Sequence, residues 1–182
     1  MPVTIFSRFF PAGHPNSGKP THFVEQILTS IYGPDFDFHF DDYLRKHNPD
    51  VPEVLLDELM ESLDPEHDGI KMHTIRRGDK CRAGNKYSFR VWSGRPYMSR
   101  QIVIVPEVEI VRVANIHITG DRSIDIDNGF FGIMDEPYGS RKALTELAKN
   151  DGLLTSDFVE WFKPNLPFTG QIRFWKDCDM PY

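Results

Sequence analysis

Lys71, Thr74 and Arg76 are the residues of this chain whose types and spacing best suit chemistry; they lie in Gly69-Ile70-Lys71-Met72-His73-Thr74-Ile75-Arg76. An amine acts as nucleophile or base only when neutral, and burial or neighbouring cations lower its pKa toward that state. Arg76, Arg77 and His73 are the cations nearest to Lys71 in sequence. A threonine hydroxyl can orient a substrate or an attacking water, and a guanidinium can hold charge at a site's mouth or stabilise an oxyanion. Side chains alternate faces along a strand, so residues three apart point opposite ways. Lys71 and Thr74 therefore converge only if the chain turns between them, and Gly69 supplies freedom for that turn. From Thr74 onward the pattern predicts a strand, with Thr74 and Arg76 on one face and Ile75 on the other. By residue type alone, Lys71 and Arg76 read more simply as surface charges beside that strand.

The eight residues spell G-x-K-x-x-x-x-R, and within them Lys71-x-x-Thr74-Ile75-Arg76 spells K-x-x-T-I-R. The wider string resembles the signature of ASCH domains, a branch of the PUA-like β-barrels. The narrower one is similar to that of small bacterial N4-acetylcytidine amidohydrolases. The likeness extends to the first strand around Ile5-Phe6-Ser7-Arg8-Phe9 and to the turn at Gly84-Asn85. It extends also to an acidic residue near the end, just before a helix, and to an aromatic closing strand. It touches residues 3–9, 71–118 and roughly 140–175.

The resemblance implies an α+β fold, a small curved antiparallel or mixed β-barrel with helices packed outside. It implies an active site of Lys71, Thr74 and Asp151, with Asp151 standing where the family keeps a catalytic glutamate. Phe6, Ser7, Arg8 and Arg76 are expected on the substrate side. Two departures stand out. Residues 11–68 form an insertion far longer than the family's connection, and an aspartate reaches less far than a glutamate. Asp151-Gly152 also reads as a turn that ends a helix.

The elements that must position these groups follow from periodicity. A first strand is expected at 3–10, stopped by Pro11 and Gly13. Within the insertion, helices are expected at 21–32, with Phe23, Ile27, Leu28 and Ile31 on one face, and at 52–63. Residues 35–50 read as irregular and aromatic. Strands follow at 87–92 and 101–118, the latter broken by Pro106 as one bent strand or two. Residues 123–127 read as a short strand or loop. Helices are expected at 140–149 and 156–162, and a last strand at 171–175. The two insertion helices are expected to dock and to wall the mouth of the site.

Composition limits the function. The chain has 182 residues, 40% hydrophobic and 13% aromatic, which fits one globular domain spanning 1–182. No stretch approaches the roughly 20 apolar residues of a membrane span. The start lacks a basic region followed by an apolar run, and Cys81 and Cys178 are too few for a disulfide framework. A cytoplasmic protein is expected. The net charge of −6, with the basic residues only loosely gathered between Lys71 and Arg100, argues against gripping an extended duplex. The partner expected is a modified nucleoside, or one nucleotide of an RNA. Trp92 and Tyr97, bordering the Gly94-Arg95-Pro96 loop, are the rings best placed to hold a base.

Three other strings fail on mechanical grounds. Gly13-His14-Pro15-Asn16-Ser17-Gly18-Lys19-Pro20 resembles a P-loop, but Pro20 replaces the Mg²⁺-binding hydroxyl and Pro15 removes an N–H. Asp64-Pro65-Glu66-His67-Asp68-Gly69 opens like a Ca²⁺ loop, but Ile75 stands where the bidentate glutamate belongs, so it reads as a polar linker. Residues 35–41 alternate acids and His39 with phenylalanines, and a flat strand does not converge such ligands.

The resemblance implies a hydrolase that removes an acyl group from an N4-acylated cytidine, and the composition and charge are compatible with it. Lys71 would be nucleophile or base, Thr74 would orient, Asp151 would shuttle protons, and Arg76 would hold charge. Lysine, hydroxyl and carboxylate suffice for that chemistry, so neither metal nor cofactor is expected. The alternative is a non-catalytic PUA-like module that binds RNA or a modified base, with Lys71 and Arg76 on phosphate.

Overall fold

The computed structural model describes residues 1–33, 40–64, 66–134 and 141–178. Its strands are β1 (Val3–Phe6), β2 (His73–Arg77), β3 (Lys86–Trp92), β4 (Gln101–Glu109), β5 (Arg112–Ile118), β6 (Ser123–Ile126), β7 (Gly129–Ile133) and β8 (Phe168–Phe174). Its helices are α1 (Phe23–Tyr32), α2 (Phe40–His47), α3 (Glu53–Glu61), α4 (Arg141–Asn150) and α5 (Thr155–Phe162). The fold is α+β. The strands form a three-stranded sheet, β1-β3-β4, and a five-stranded sheet, β2-β8-β5-β6-β7. Only β1–β3 is parallel; the other neighbours run antiparallel. Among the described residues no ladder joins the two sheets, so the barrel expected from sequence is not closed by hydrogen bonds.

Aromatic packing fills the seam instead. Phe6 of β1, Phe89 of β3 and Trp175 just past β8 meet edge to face, with centroids 4.9 Å (Phe6–Phe89), 5.0 Å (Phe89–Trp175) and 6.1 Å (Phe6–Trp175) apart. All three rings are buried, each worth roughly 1.5–3 kcal/mol on burial. Edge-to-face contact adds about 0.5–1.5 kcal/mol per pair. The five-stranded sheet is centred on β8, which pairs with β2 and β5. Gly170 is required there, because a Cβ would lie 2.2 Å from the backbone oxygen of Arg76.

The first strand ends at Phe6, four residues earlier than expected; Phe9 makes only an isolated bridge to Pro20. The 101–118 stretch resolves into β4 and β5. Pro106 does not divide them: it sits inside β4, where the register against β3 shifts and no ladder bond is demanded of it. β7 was not expected, since Gly129 and Gly132 dilute its strand signal.

The insertion carries three helices rather than two. Residues 34–39 lie outside the described residues, and with them most of the 35–41 segment weighed as a metal site. Phe40–His47, expected to be irregular, is α2. Its helical signal is short, only Phe40 and Leu44 buried four apart, but Asp41 and Asp42 start it and Arg45, Lys46 and His47 end it. Those charges suit the helix dipole. Asn48 then covers the free edge of β4: its Oδ1 accepts the Val103 N–H at 2.7 Å and its Nδ2 donates to the Val103 carbonyl at 2.9 Å. An edge strand's exposed backbone groups are satisfied by one side-chain amide. α1 docks through the indole N–H of Trp175, which donates to Ser30 Oγ at 3.0 Å. Among the described residues, no helix is long and apolar enough to cross a membrane.

Candidate active site

The segment ahead of β2 is not the turn expected from Gly69 but an irregular stretch held by backbone bonds to α1, α4 and the residue after β8. Lys71 N–H donates to the Gln26 carbonyl of α1 at 3.2 Å, and Met72 N–H donates to the Asn150 carbonyl at 2.8 Å. Trp175 N–H donates to the Met72 carbonyl at 3.2 Å. This clamp places Lys71 inside the protein at 1% exposure, not on the surface.

Its partner is the end of α4. Leu153 N–H bonds the Ala148 carbonyl and Gly152 N–H bonds the Lys149 carbonyl, both at 2.9 Å, with Gly152 at φ +76°. This is a Schellman motif with Asp151 as the C-cap. The helix-ending reading of Asp151 is thus met, and the same geometry leaves its carboxylate facing Lys71. Lys71 Nζ donates to Asp151 Oδ1 at 2.7 Å and to the Asp151 carbonyl. That ammonium also meets the negative end of α4. It stands 4.2 Å from the ring centroid of Phe23, a cation–π contact.

Burial pushes the Lys71 amine down to about 8, against the opposing pull of the Asp151 carboxylate. Burial by itself would raise Asp151, but the Lys71 ammonium outweighs it and holds the carboxyl below its usual range. At neutral pH the resting state is an ammonium–carboxylate pair whose amine loses its proton within reach of physiological pH. His73 is not the neighbouring cation the sequence allows. It is wholly buried, which lowers its pKa, and Nδ1 lies 3.6 Å from Asp151 Oδ1, too far for a hydrogen bond. Arg77 also turns away, donating to the Asn165 carbonyl and lying over Phe168.

Lys71 and Asp151 border a cleft of about 260 Å³. Thr74 and Arg76 line it too, and so does Ile75, which strand alternation assigns to the opposite face. Arg76 donates from Nη2 to the Ile5 carbonyl at 2.6 Å and lies over Phe6 at 5.1 Å, tying β2 to β1. Burial pushes its guanidinium down to about 10, so it stays cationic at neutral pH. Its Nε is buried without a hydrogen-bond partner.

Of the expected substrate residues, Ser7, Trp92 and Tyr97 line the same cleft. Trp92 and Tyr97 rings are 5.5 Å apart, and Tyr97 is 90% exposed. Phe6 touches the cleft but belongs mainly to the core. Arg8 stands outside it: its guanidinium donates to the Ser93 carbonyl at 3.2 Å and to Ser62 Oγ at 2.8 Å. The chain leaves β1 at Ser7, so alternation no longer carries Arg8 to the cleft.

Sequence reasoning missed Phe23, Trp161 and Phe162, which complete the wall. Phe23 was assigned to the apolar stripe of α1, and it packs there while also facing Lys71. The insertion thus supplies part of the site through α1. No family model matches this chain, and neither does any curated protein or solved structure.

Proposed function

We propose that this chain is a PUA-like, ASCH-type amidohydrolase that removes the acyl group from an N4-acylated cytidine. The observation that carries the reading is the buried Lys71–Asp151 pair, 2.7 Å apart beside Thr74 and Arg76 in a small cleft. A lysine that contacts phosphate belongs on an exposed basic surface, so its burial weighs against the RNA-binding alternative. The cleft, about 260 Å³, falls just below the roughly 300–1,000 Å³ of drug-sized sites and suits a base or nucleoside. Trp92, Tyr97 and Trp161 offer faces for the base. The two-sheet arrangement is read as a PUA-like barrel that is open along the seam filled by Phe6, Phe89 and Trp175.

In the proposed reaction, neutral Lys71 takes a proton from water as the water oxygen bonds to the acyl carbon. The carbonyl π pair moves onto oxygen, where Arg76 and the Thr74 hydroxyl offset the charge. The intermediate collapses, the C–N4 bond breaks, and its pair leaves on N4. N4 takes the proton back from the Lys71 ammonium, giving a carboxylic acid and the free amine of cytidine. Asp151 holds Lys71 in place and favours the ammonium form through which the proton passes.

The test is deacylation of N4-acetylcytidine followed by chromatography, with wild type beside Lys71→Ala, each checked for fold by circular dichroism. Turnover by wild type alone is expected. Equal rates, or no turnover of any of several N4-acylcytidines, would leave the base-binding alternative in front.

A further inference from the structure

The linker between α3 and β2 returns to the start of α1. There His22, Asp64 and His67 each bring one ligand-capable atom, all within 4.8 Å of one another. We propose that these three residues bind a divalent zinc-type cation, clamping α1 to the linker that leads to Lys71. This site is separate from the Lys71 cleft and does not rest on the proposed reaction.

The surroundings are built as metal ligands require. Histidines that bind metals usually donate their second ring N–H to a carboxylate or carbonyl, which fixes the tautomer. His22 Nδ1 lies 3.1 Å from Glu25 Oε1, leaving Nε2 open. The same buried carboxylate accepts the Asp64 N–H at 3.1 Å, so Glu25 positions two of the three ligands. His67 Nε2 lies 2.9 Å from the Gln26 amide, leaving Nδ1 open. Gln26 is 6% exposed and its Oε1 has no hydrogen-bond partner. Turning that amide over lets Oε1 accept the His67 Nε2–H, which directs the Nδ1 lone pair to a cation. Gln26, His22 and His67 all line a cavity of about 740 Å³, separate from the cleft that Lys71 borders.

Two imidazoles and a carboxylate suit Zn²⁺ and its neighbours, whereas Mg²⁺ and Ca²⁺ prefer oxygen alone. The imidazoles stack with centroids 4.3 Å apart and planes 8° apart. Zinc–nitrogen bonds of about 2.1 Å put two ligand atoms at most about 4.2 Å apart, so binding draws the set inward and tilts the rings. The carboxylates of Glu25 and Asp64 offset the positive end of the α1 dipole. Gln26 couples the site to the chemistry, since its carbonyl accepts the Lys71 N–H. The ligands lie between positions 22 and 67 without a motif spacing, which hid them in the sequence.

The test is titration of the chelator-stripped full chain with Zn²⁺ by isothermal calorimetry, beside His22→Ala, His67→Ala and Glu25→Gln. One ion per chain is expected, with binding lost in the histidine variants and weakened about 10–100-fold in Glu25→Gln. Co²⁺ bound to the unmodified chain should show visible d–d bands without a thiolate charge-transfer band, a readout that needs no variant to fold. The proposal is overturned by no saturable Zn²⁺ binding, by wild-type affinity in folded His67→Ala, by a thiolate band, or by preference for Mg²⁺.

Discussion

Replacing Asp151 with asparagine should move the pH dependence of the proposed reaction in a direction set by the structure. In the wild type, burial holds Lys71 at about 8, and only the neutral amine accepts a proton. The rate should therefore rise with pH and level off above 8. At pH 6 about one hundredth of the amine is neutral, two units below its pKa. Asp151 opposes this depression, because its carboxylate lies 2.7 Å from Nζ. Two unit charges at that distance interact by about 1.5 kcal/mol even at the dielectric of water, or roughly one pKa unit. Burial makes the true coupling larger. Asp151→Asn keeps an oxygen beside Nζ but removes the charge, so the rising limb should shift at least about one unit toward acid, whatever happens to the plateau. The assay is kcat/KM for N4-acetylcytidine from pH 5.5 to 9.5, measured on both proteins. A limb that stays in place, or moves to higher pH, would refute the assignment of Lys71 as the titrating base.

Thr74→Ala should lower kcat by about 100-fold, the effect typical of a lost positioning or proton-transfer group, and an unchanged kcat would remove it from the site. Lys71→Ala should abolish turnover and also destabilise the fold by about 3–5 kcal/mol, because Asp151 is left buried without its cation. In urea, Lys71→Met with Asp151→Leu should recover most of that loss. Wild-type stability should climb from pH 8 to 10.5, where the unfolded chain still holds the Lys71 proton that the folded one has released. The rise is worth at most about 3–4 kcal/mol, and Lys71→Met should flatten it in parallel thermal melts. Gly170→Ala should disrupt the β2–β8 pairing, since its Cβ would lie 2.2 Å from the Arg76 oxygen; a melting temperature unchanged from wild type would contradict that clash.

Periodicity and turn chemistry were enough to predict most elements of the fold. Local signals suffice where an element buries a continuous stripe, as α1 does with Phe23, Ile27 and Leu28. They fail where few residues carry the pattern, as in α2, with two buried apolar residues, and β7, with two glycines. The register shift at Pro106 was not legible either, since a bulge depends on what the partner strand does.

By itself, the sequence determined that Thr74 and Arg76 share a strand face and that Asp151-Gly152 ends a helix, whereas the turn it led us to expect at Lys71 is an irregular segment running straight into β2 at His73. Those are properties of neighbouring residues, set by backbone geometry and glycine's freedom. Tertiary structure alone decided that Lys71 is buried, because the bonds enclosing its segment come from Gln26, Asn150 and Trp175. It also decided that Arg8 leaves the cleft while Phe23 and Trp161 enter it. A lysine's side chain is the same on a surface and in a core. Only the packing of distant segments removes its water, brings a carboxylate to 2.7 Å and lowers its pKa.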